Sequence, residues 1–248
     1  MKNLYYRTDE IPNYYSQNRI KWHQFYPSER KLFESIELLS SHTVLDIGCG
    51  CGGLGLALNE KFDITSYTGI DINSAAIDAG RQLTSSSILI SGDILDLTEN
   101  SLNGQVFDLV CSLSCIDYNV QFSEMLLAAW AHVKPGGKFV ATFRLCMEEG
   151  STEIKDSYQY INFKGKKEGE IAPYVVLNFA ELMADLEKFN PSEITATGYW
   201  GSPSASAVTP HDKLCFAAFS ITKRQEMNDG NIQTNFDLPD ELVDMLQA

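Results

Sequence analysis

The chain has 248 residues, of which 44% are hydrophobic, so it can bury the core of one α/β domain with insertions. It carries 33 acidic and 19 basic residues, and this net charge of −14 argues against nucleic-acid binding, because phosphate contacts need a basic surface. No signal-peptide pattern and no run of about 18 apolar residues occurs, so we expect a cytoplasmic protein without a membrane partner. A small-molecule partner fits this charge, and both a monomer and a homodimer are compatible with it.

The six cysteines lie mostly in apolar segments, which is typical of small buried side chains in a reducing compartment. Cys49 and Cys51 are separated by one residue, without a CxxC motif, and the four histidines are scattered along the chain. We therefore expect neither a disulfide scaffold nor a metal site.

The first predicted part is an aromatic segment at residues 1–27. Five of the eleven tyrosines occur in its first 26 residues: Tyr5, Tyr6, Tyr14, Tyr15 and Tyr26. Together with Trp22 and Phe25 they would form either a helix docked on the sheet or a lid over a binding site. We favour the lid, because an aromatic rim suits a site that closes.

The second part, residues 28–223, has the pattern of a parallel α/β sheet. A helix over 28–40 precedes apolar runs typical of buried strands, at 43–47, 66–71, 87–91, 107–113 and 137–145. Helical periodicity follows at 121–133, and Asn178 begins another helix as its N-cap. Strands near 193–200 and 213–222 predict a closing antiparallel hairpin.

Two polar stretches interrupt or follow this pattern. Residues 149–177 are rich in polar side chains and glycine, which indicates an insertion after the fifth strand. Residues 224–248 form an acidic tail, in which "DLPDELVDMLQA" predicts one short amphipathic helix.

The stretch "VLDIGCGCGG", residues 44–53, is the main motif of the chain. It matches GxGxxG at Gly48, Gly50 and Gly53, and DxGxGxG from Asp46 through Gly52, so it fits two cofactor fingerprints. Residues without a Cβ allow a tight turn between strand and helix and let backbone amides approach a ligand. The glycines alone do not decide which cofactor binds.

Acidic residues end the next two predicted strands. Asp71, in "GIDIN", can accept both hydroxyls of a ribose. Asp93, in "SGDILDL", is placed to accept from an exocyclic amino group of adenine, and Ile94 can pack on the ring. We therefore expect a nucleoside at this edge of the sheet.

With Asp46, Asp71, Asp93 and "VKPGG" in register, the chain resembles the class I S-adenosylmethionine-dependent methyltransferases. The resemblance implies a doubly wound, Rossmann-like sheet of seven strands, mostly parallel, whose last strand is antiparallel. It also implies S-adenosylmethionine as cofactor, S-adenosylhomocysteine as product, and residues 46–53 at the methionine part. The implied cofactor-binding residues are Arg19, Asp46, Gly48, Cys49, Gly50, Gly52, Asp71, Ile72, Asp93, Ile94 and Ser112, with Arg19 on the methionine carboxylate.

The segment after the fourth strand lies beside the transferable methyl group in this family, and here it ends in Asp117 and Tyr118. Many relatives have a histidine pair there. Asp117 would be a general base or a helix cap, and Tyr118 a wall of the pocket; both are our catalytic candidates. The candidates for acceptor binding are Tyr14, Tyr15, Trp22, Arg144 and His211, the last two for an anionic group.

The strings "NYYSQNRIKW", "SYQYINF" and "APYVVLN" are similar to small-molecule methyltransferases of bacterial capsular-polysaccharide pathways. The resemblances together imply methyl transfer to an oxygen or nitrogen of a small metabolite, such as a sugar or a phosphorylated precursor of a surface polysaccharide. Two alternatives stay open: an NAD-dependent oxidoreductase, and a non-catalytic protein that binds the cofactor.

Overall fold

The computed structural model describes residues 8, 10–84, 86–96, 102–162, 164–226 and 230–246. The predicted roles of Tyr5 and Tyr6 lie outside these residues. The helices are α1 (Glu10–Tyr15), α2 (Pro27–Ser35), α3 (Gly53–Phe62), α4 (Ser74–Leu83), α5 (Phe122–Ala131), α6 (Phe179–Glu187) and α7 (Asp240–Asp244). Two 3₁₀ turns are found at Trp22–Gln24 and Ile116–Tyr118. No helix in the described part is long and apolar enough to cross a bilayer.

Twelve strands are formed by the described residues. The first six are β1 (Thr43–Ile47), β2 (Ser66–Asp71), β3 (Ile88–Ser91), β4 (Phe107–Ser112), β5 (Val133–Cys146) and β6 (Tyr158–Tyr160). The other six are β7 (Ile171–Pro173), β8 (Leu177–Asn178), β9 (Glu193–Gly201), β10 (Ala207–Val208), β11 (Leu214–Thr222) and β12 (Gln233–Asp237).

The main sheet has the order β12-β9-β11-β5-β4-β1-β2-β3, and β8 pairs with the end of β5. Strands β1 to β5 run parallel, whereas β11 is antiparallel to both β5 and β9. The predicted class, a mostly parallel Rossmann-like sheet closed by an antiparallel strand, is confirmed. All seven predicted strands are present, and the short β8 and the edge strand β12 bring the sheet to nine.

Alternation along the central strands builds a core on each face of the sheet. Val44 and Leu45 are both fully buried, but they belong to different clusters because successive side chains of a strand point to opposite faces. Val44 lies in the cluster with Leu58 of α3, and Leu45 in the cluster with Leu126 of α5. Burial on both faces leaves the carboxyl ends of the strands as the place for a site.

The insertion and the tail are more ordered than their composition indicates. β6 and β7, both within 149–177, pair with each other, and β10 pairs with β6, which makes a small second sheet. In the tail, β12 runs parallel to β9 at the edge of the main sheet. The main sheet therefore continues into the segment that we treated as an acidic tail, which also contains the expected helix, α7.

The aromatic segment divides into two parts. Trp22 and Phe25 are buried, and the Trp22 ring contacts Phe33 of α2 and Phe62 of α3 at centroid distances of 6.1 and 5.3 Å. This part is core, and the expectation that Trp22 binds the acceptor is corrected, because its indole packs against these two helices. Residues 10–19 lie beside the cavity described below, and the lid remains a prediction for them alone.

The Trp22→Ala variant tests this division. Truncating a buried indole removes its contacts and leaves a cavity, so we expect the free energy of unfolding to fall by about 3 kcal/mol or more. Tyr14→Ala, in the half-buried helix α1, is the control and should cost about 1 kcal/mol or less. Urea denaturation of both variants measures the difference. Equal losses would show that Trp22 is not part of the core.

Candidate active site

Hydrogen bonds hold the glycine loop to the end of β2. The carbonyl of Ile70 accepts from the amides of Gly48 and Cys49 at 2.8 and 3.2 Å, and Asp71 Oδ2 accepts from the amide of Gly50 at 2.8 Å. Gly48 has a φ of 75°, and a Cβ added to it would lie 2.3 Å from Cys115 Sγ. Both the backbone angle and the contact therefore require glycine at this position.

A first cavity of about 430 Å³ opens above this loop. Of the eleven predicted cofactor-binding residues, nine line it: Arg19, Asp46, Gly48, Cys49, Gly50, Asp71, Ile72, Asp93 and Ile94. The structure thus brings together side chains from the N-terminal segment and from the ends of β1, β2 and β3. Their roles toward a cofactor remain proposals.

Two predicted residues do not line the cavity. Gly52 has a φ of 76°, and a Cβ there would point toward Leu89 at 3.0 Å, so this glycine serves the turn. Ser112, the last residue of β4, is fully buried. The expectation that these two residues contact the cofactor is corrected, because both face the interior.

The acidic groups at the strand ends are desolvated. Burial raises the pKa of Asp46 to about 7, although Tyr67 donates its hydroxyl to Asp46 Oδ2 at 2.6 Å and thereby opposes the shift. Burial also raises the pKa of Asp71, against the effect of the amides of Asn73 and Gly50. Asp93 Oδ1 accepts from the amide of Leu95 at 2.9 Å. Buried carboxylates of this kind favour a positively charged ligand, because a nearby cation stabilises their ionised form.

Arg19 lines the first cavity, but its guanidinium is already engaged. Its Nη2 donates to Glu29 Oε1 at 2.9 Å, and its guanidinium carbon lies 4.4 Å from the centroid of the Phe25 ring. Glu29 is fully buried and also accepts from the amide of Tyr26 at 2.8 Å. The charge of Arg19 is thus largely neutralised, and contact with a methionine carboxylate stays a prediction.

The two neighbouring tyrosines of α1 differ in position. Tyr15 lines the first cavity, with its Cβ 3.6 Å from the point where a Cβ on Gly50 would lie. Tyr14 is not among the lining residues and packs edge-on against Tyr15 at a centroid distance of 5.1 Å. Tyr15 therefore lies on the glycine-loop side of the cavity, and Tyr14 supports it.

A second cavity of about 440 Å³ lies next to the first, over the ends of β5, β9 and β11. Asp117, Tyr118 and Arg144 line it, and Tyr118 lines the first cavity as well. Arg144 Nη2 lies 2.9 Å from Asp117 Oδ2, and both side chains are almost completely buried. This is a close charge contact rather than a well-aligned hydrogen bond.

This pairing bears on the two predicted catalytic residues. Arg144 Nη1 donates to the carbonyls of Asp117 and Val175, so the guanidinium holds the 3₁₀ turn that carries Asp117. Burial raises the pKa of Asp117, and the charge of Arg144 opposes this shift. Burial also raises the pKa of the Tyr118 hydroxyl, which donates to Gln159. The helix-cap alternative for Asp117 is wrong, since its carboxylate faces Arg144 and α5 begins at Phe122.

His211 lies away from both cavities, which corrects its assignment to acceptor binding. Its Nε2 is 3.0 Å from Ser151 Oγ, and burial lowers its pKa. Ligand atoms of His211, Cys146 and Glu148 all lie within 4.8 Å of one another and could hold a metal ion. Cys146 Sγ already donates to the carbonyl of Glu148 at 3.3 Å. All six cysteines are free thiols.

Sequence reasoning missed the residues at the boundary between the cavities. Ser114, Tyr118 and Gln159 line both of them, and only Tyr118 was predicted. Gln159 belongs to the insertion, whose "SYQYINF" alternates aromatic and polar residues, so its strand pattern was the available signal. Ser114 has a φ of 51°, a backbone state that the sequence does not indicate at a serine.

Part of this chain is similar to known proteins. Residues 45–139 match the model of a family described as a methyltransferase domain. The trans-aconitate 2-methyltransferase of Deinococcus radiodurans is 30% identical over 95 residues, 38% of this chain and 34% of that protein. A ubiquinone biosynthesis O-methyltransferase of Coxiella burnetii is 29% identical over 117 residues, 47% and 49% of the two chains. The chain spans between a third and a half of these relatives.

Solved structures share the fold. The phosphoethanolamine N-methyltransferase 2 of Haemonchus contortus, in complex with phosphomonomethylethanolamine and S-adenosylhomocysteine, superposes with a TM-score of 0.55 at 16% identity, covering 78% of this chain and 51% of that chain. Coclaurine N-methyltransferase bound to N-methylheliamine and S-adenosylhomocysteine gives 0.52 at 11% identity, with 78% and 70% covered. At these identities the likeness concerns the fold alone.

Three features point to one class of protein. They are the match to a methyltransferase domain, the sheet with its antiparallel closing strand, and the acidic cavity above the glycine loop. Residues 45–139 match a methyltransferase domain, the sheet has the Rossmann-like fold of the class I methyltransferases, and both support S-adenosylmethionine as the cofactor. The NAD-dependent alternative has no support in these comparisons.

Asp46 is expected to make stability depend on pH. Its pKa of about 7 in the folded protein lies above the ordinary 3.8, so from about pH 4 to 7 the folded state keeps a proton that the unfolded state loses. Its contribution to stability is complete below pH 4 and is lost as the pH rises to about 7. Asp46→Asn removes this titration, so the stability of the variant should rise relative to the wild type across that window.

Urea denaturation at a series of pH values measures this difference. The control is Asp185→Asn, which removes a carboxylate from the exposed face of α6 and should leave the slope unchanged. A constant difference between Asp46→Asn and wild type from pH 4 to 7 would contradict the assignment.

Asp117→Asn distinguishes a structural ion pair from a general base. Removing one partner of a buried pair leaves the other charge uncompensated, so we expect a loss of about 3 kcal/mol in the free energy of unfolding. Asp117→Asn combined with Arg144→Met removes both charges and should recover part of that loss. Full stability with a large fall in turnover would instead identify Asp117 as the base.

Proposed function

We propose that this protein transfers a methyl group from S-adenosylmethionine to an oxygen or nitrogen of a small metabolite. The observation that carries the proposal is the first cavity, where the glycine loop and three strand-end carboxylates, Asp46, Asp71 and Asp93, meet. The family match over 45–139 supports it. No basic cluster for a nucleic acid lines this cavity among the described residues.

The residues present fit the cofactor by their chemistry. S-adenosylmethionine carries a sulfonium and an ammonium group, and buried carboxylates such as Asp46 favour cations. Asp71 has remaining lone pairs for ribose hydroxyls, and Asp93 and Ile94 would face the adenine. Gly48 and Gly50 line the first cavity and would face the methionine part.

When bound, the cofactor supplies an electrophilic methyl group on a positively charged sulfur. The chain contributes orientation and exclusion of water. Tyr118 is held by its hydrogen bond to Gln159 at 2.8 Å, so its ring is a fixed wall between the two cavities. Cys115, which also lines the first cavity, has its pKa raised by burial, so it would face a bound cofactor as a neutral thiol.

For the acceptor, we favour a small sugar or a phosphorylated precursor of a surface polysaccharide, because of the resemblance carried by the sequence strings in the N-terminal segment and the insertion. In support of a small acceptor, residues of the insertion, Gln159 to Asn162, form part of the cavity wall. A wall from an insertion narrows the entrance and favours a metabolite over a macromolecule. A non-catalytic cofactor-binding protein would bind S-adenosylhomocysteine but show no turnover with any acceptor.

Asp71→Ala tests the cofactor site. The variant loses a charged acceptor for the ribose hydroxyls, and such hydrogen bonds are worth about 1.5 to 3 kcal/mol, which corresponds to about tenfold or more in the dissociation constant of S-adenosylhomocysteine. It also frees the amide of Gly50, so the glycine loop loses one of its attachments to β2. Calorimetric titration measures the affinity.

The matched control for this measurement is Asp78→Ala. Asp78 is an exposed acidic residue of the adjacent helix α4, paired with Arg81, so the variant changes the net charge equally without touching the cavity. Its affinity should equal that of the wild type. Unchanged affinity in a folded Asp71→Ala protein would remove Asp71 from the site.

A further inference from the structure

The second cavity is lined mostly by aromatic and hydroxyl-bearing side chains. Six aromatic residues line it: Tyr26, Tyr118, Phe143, Tyr174, Tyr199 and Phe216. Between them lie small hydroxyl-bearing side chains, Ser28, Ser114, Thr142, Ser202 and Ser204. Aromatic faces interleaved with hydroxyl groups are suited to a flat or hydroxylated ring, because the faces stack on it and the hydroxyls bind its edge.

Charge in this cavity is balanced within the protein. Among the described lining residues, Asp117 and Arg144 are the charged ones, and they contact each other at 2.9 Å. The Arg144 guanidinium is stacked between Tyr118 and Tyr174, with its carbon 4.1 and 3.8 Å from the two ring centroids, and Nη1 donates to two backbone carbonyls. The charge of Arg144 is therefore compensated by Asp117, although its Nη2 donates no well-aligned hydrogen bond.

Two buried polar atoms of this pair, Asp117 Oδ1 and Arg144 Nη2, lack a hydrogen-bond partner among the described residues. A buried carboxylate oxygen without a donor costs free energy, which a donor from an occupant would recover. An occupant with an O–H or N–H group near Asp117 would therefore supply the missing donor.

The two cavities meet at a strained position. Ser114, which lines both, has a φ of 51°, and its amide donates to Thr142 Oγ1 at 2.7 Å. Left-handed backbone at a residue other than glycine costs energy and persists where the surrounding structure holds it. An occupant of the second cavity would reach the first across Ser114 and Tyr118.

We propose that the second cavity is the acceptor chamber and that it takes an uncharged, hydroxylated ring, one hydroxyl of which donates to Asp117 Oδ1. The ring stacks on the tyrosines, and a second heteroatom faces the first cavity past Ser114. This inference rests on the proposed methyltransferase function. It narrows the acceptor class, since a phosphate or carboxylate group inside the chamber would find Arg144 already neutralised.

Ligand-observed NMR on the full chain saturated with S-adenosylhomocysteine tests the chamber. The neutral probes are catechol and methyl β-glucopyranoside, which separate a phenolic ring from a sugar ring. Their anionic counterparts are 3,4-dihydroxybenzoate and glucose 6-phosphate. We expect one neutral probe to bind. Its anionic counterpart should bind at least about tenfold more weakly, because its charged group would lose water in the chamber without gaining an uncompensated cation as a partner.

Two variants localise the binding. Ser202→Trp places a large ring in the chamber and should abolish probe binding, while calorimetry shows unchanged affinity for S-adenosylhomocysteine. Ala205→Trp, an exposed position of the same loop outside the chamber lining, should leave both unchanged.

The outcomes separate the two proposals. Absence of binding by both neutral probes, or equal binding to Ser202→Trp, overturns the chamber and leaves the proposed function intact. Stronger binding of the anionic probes would contradict an uncharged acceptor and would indicate that Arg144 binds the anionic group. Failure of the wild type to bind S-adenosylhomocysteine overturns the proposed function and this inference with it.

Discussion

The attachment of the glycine loop to β2 is the constraint on which the site depends. Parallel pairing of β1 with β2 places Ile70 and Asp71 beside the loop, where they accept hydrogen bonds from three successive amides, those of Gly48, Cys49 and Gly50. These bonds fix the loop before any ligand binds. The same register brings the carboxylates of β1 and β2 to one edge of the sheet. The pairing of these two strands therefore positions both the glycine loop and the acidic groups beside it.

A second constraint joins the cofactor side to the rest of the molecule. Arg144 of β5 holds the turn after β4 through the carbonyl and carboxylate of Asp117, and it also reaches the carbonyl of Val175 near the end of the insertion. Desolvating this buried pair costs free energy, and its role is to fix the position of Tyr118, whose ring centroid lies 4.1 Å from the guanidinium carbon. The insertion contributes Gln159 to the same boundary.

The sequence was sufficient for the elements whose signals are local. Strand β2 ends at Asp71 as predicted, and the Asn178 side chain accepts from the amide of Glu181, so its N-cap is confirmed. Short apolar runs and caps depend on neighbouring residues, which explains these agreements. Strand β12 was missed because "QTNFD" is mostly exposed and has no buried alternation, so that pairing with β9 alone defines it.

The limits of sequence reasoning at the site have the same cause. Trp22 and Tyr15 belong to one aromatic segment, yet Trp22 is core because its ring packs on α3, whereas Tyr15 lies beside Gly50 and lines the first cavity. Asp117 was correctly placed after β4, but its partner Arg144 is 27 residues away in sequence, and no local pattern pairs them. Tertiary contact, rather than residue type, decided these roles.

A crystal structure of the protein with S-adenosylhomocysteine is the most direct test of the central claim, that the first cavity is a cofactor site built on the attachment of the glycine loop. The account predicts density for the ligand above Gly48 and Gly50, with ribose hydroxyls within hydrogen-bond distance of Asp71 and the adenine beside Asp93 and Ile94. The sulfur should face the boundary with the second cavity at Ser114 and Tyr118. Ligand density at another place, or a loop detached from β2 in the complex, would contradict it.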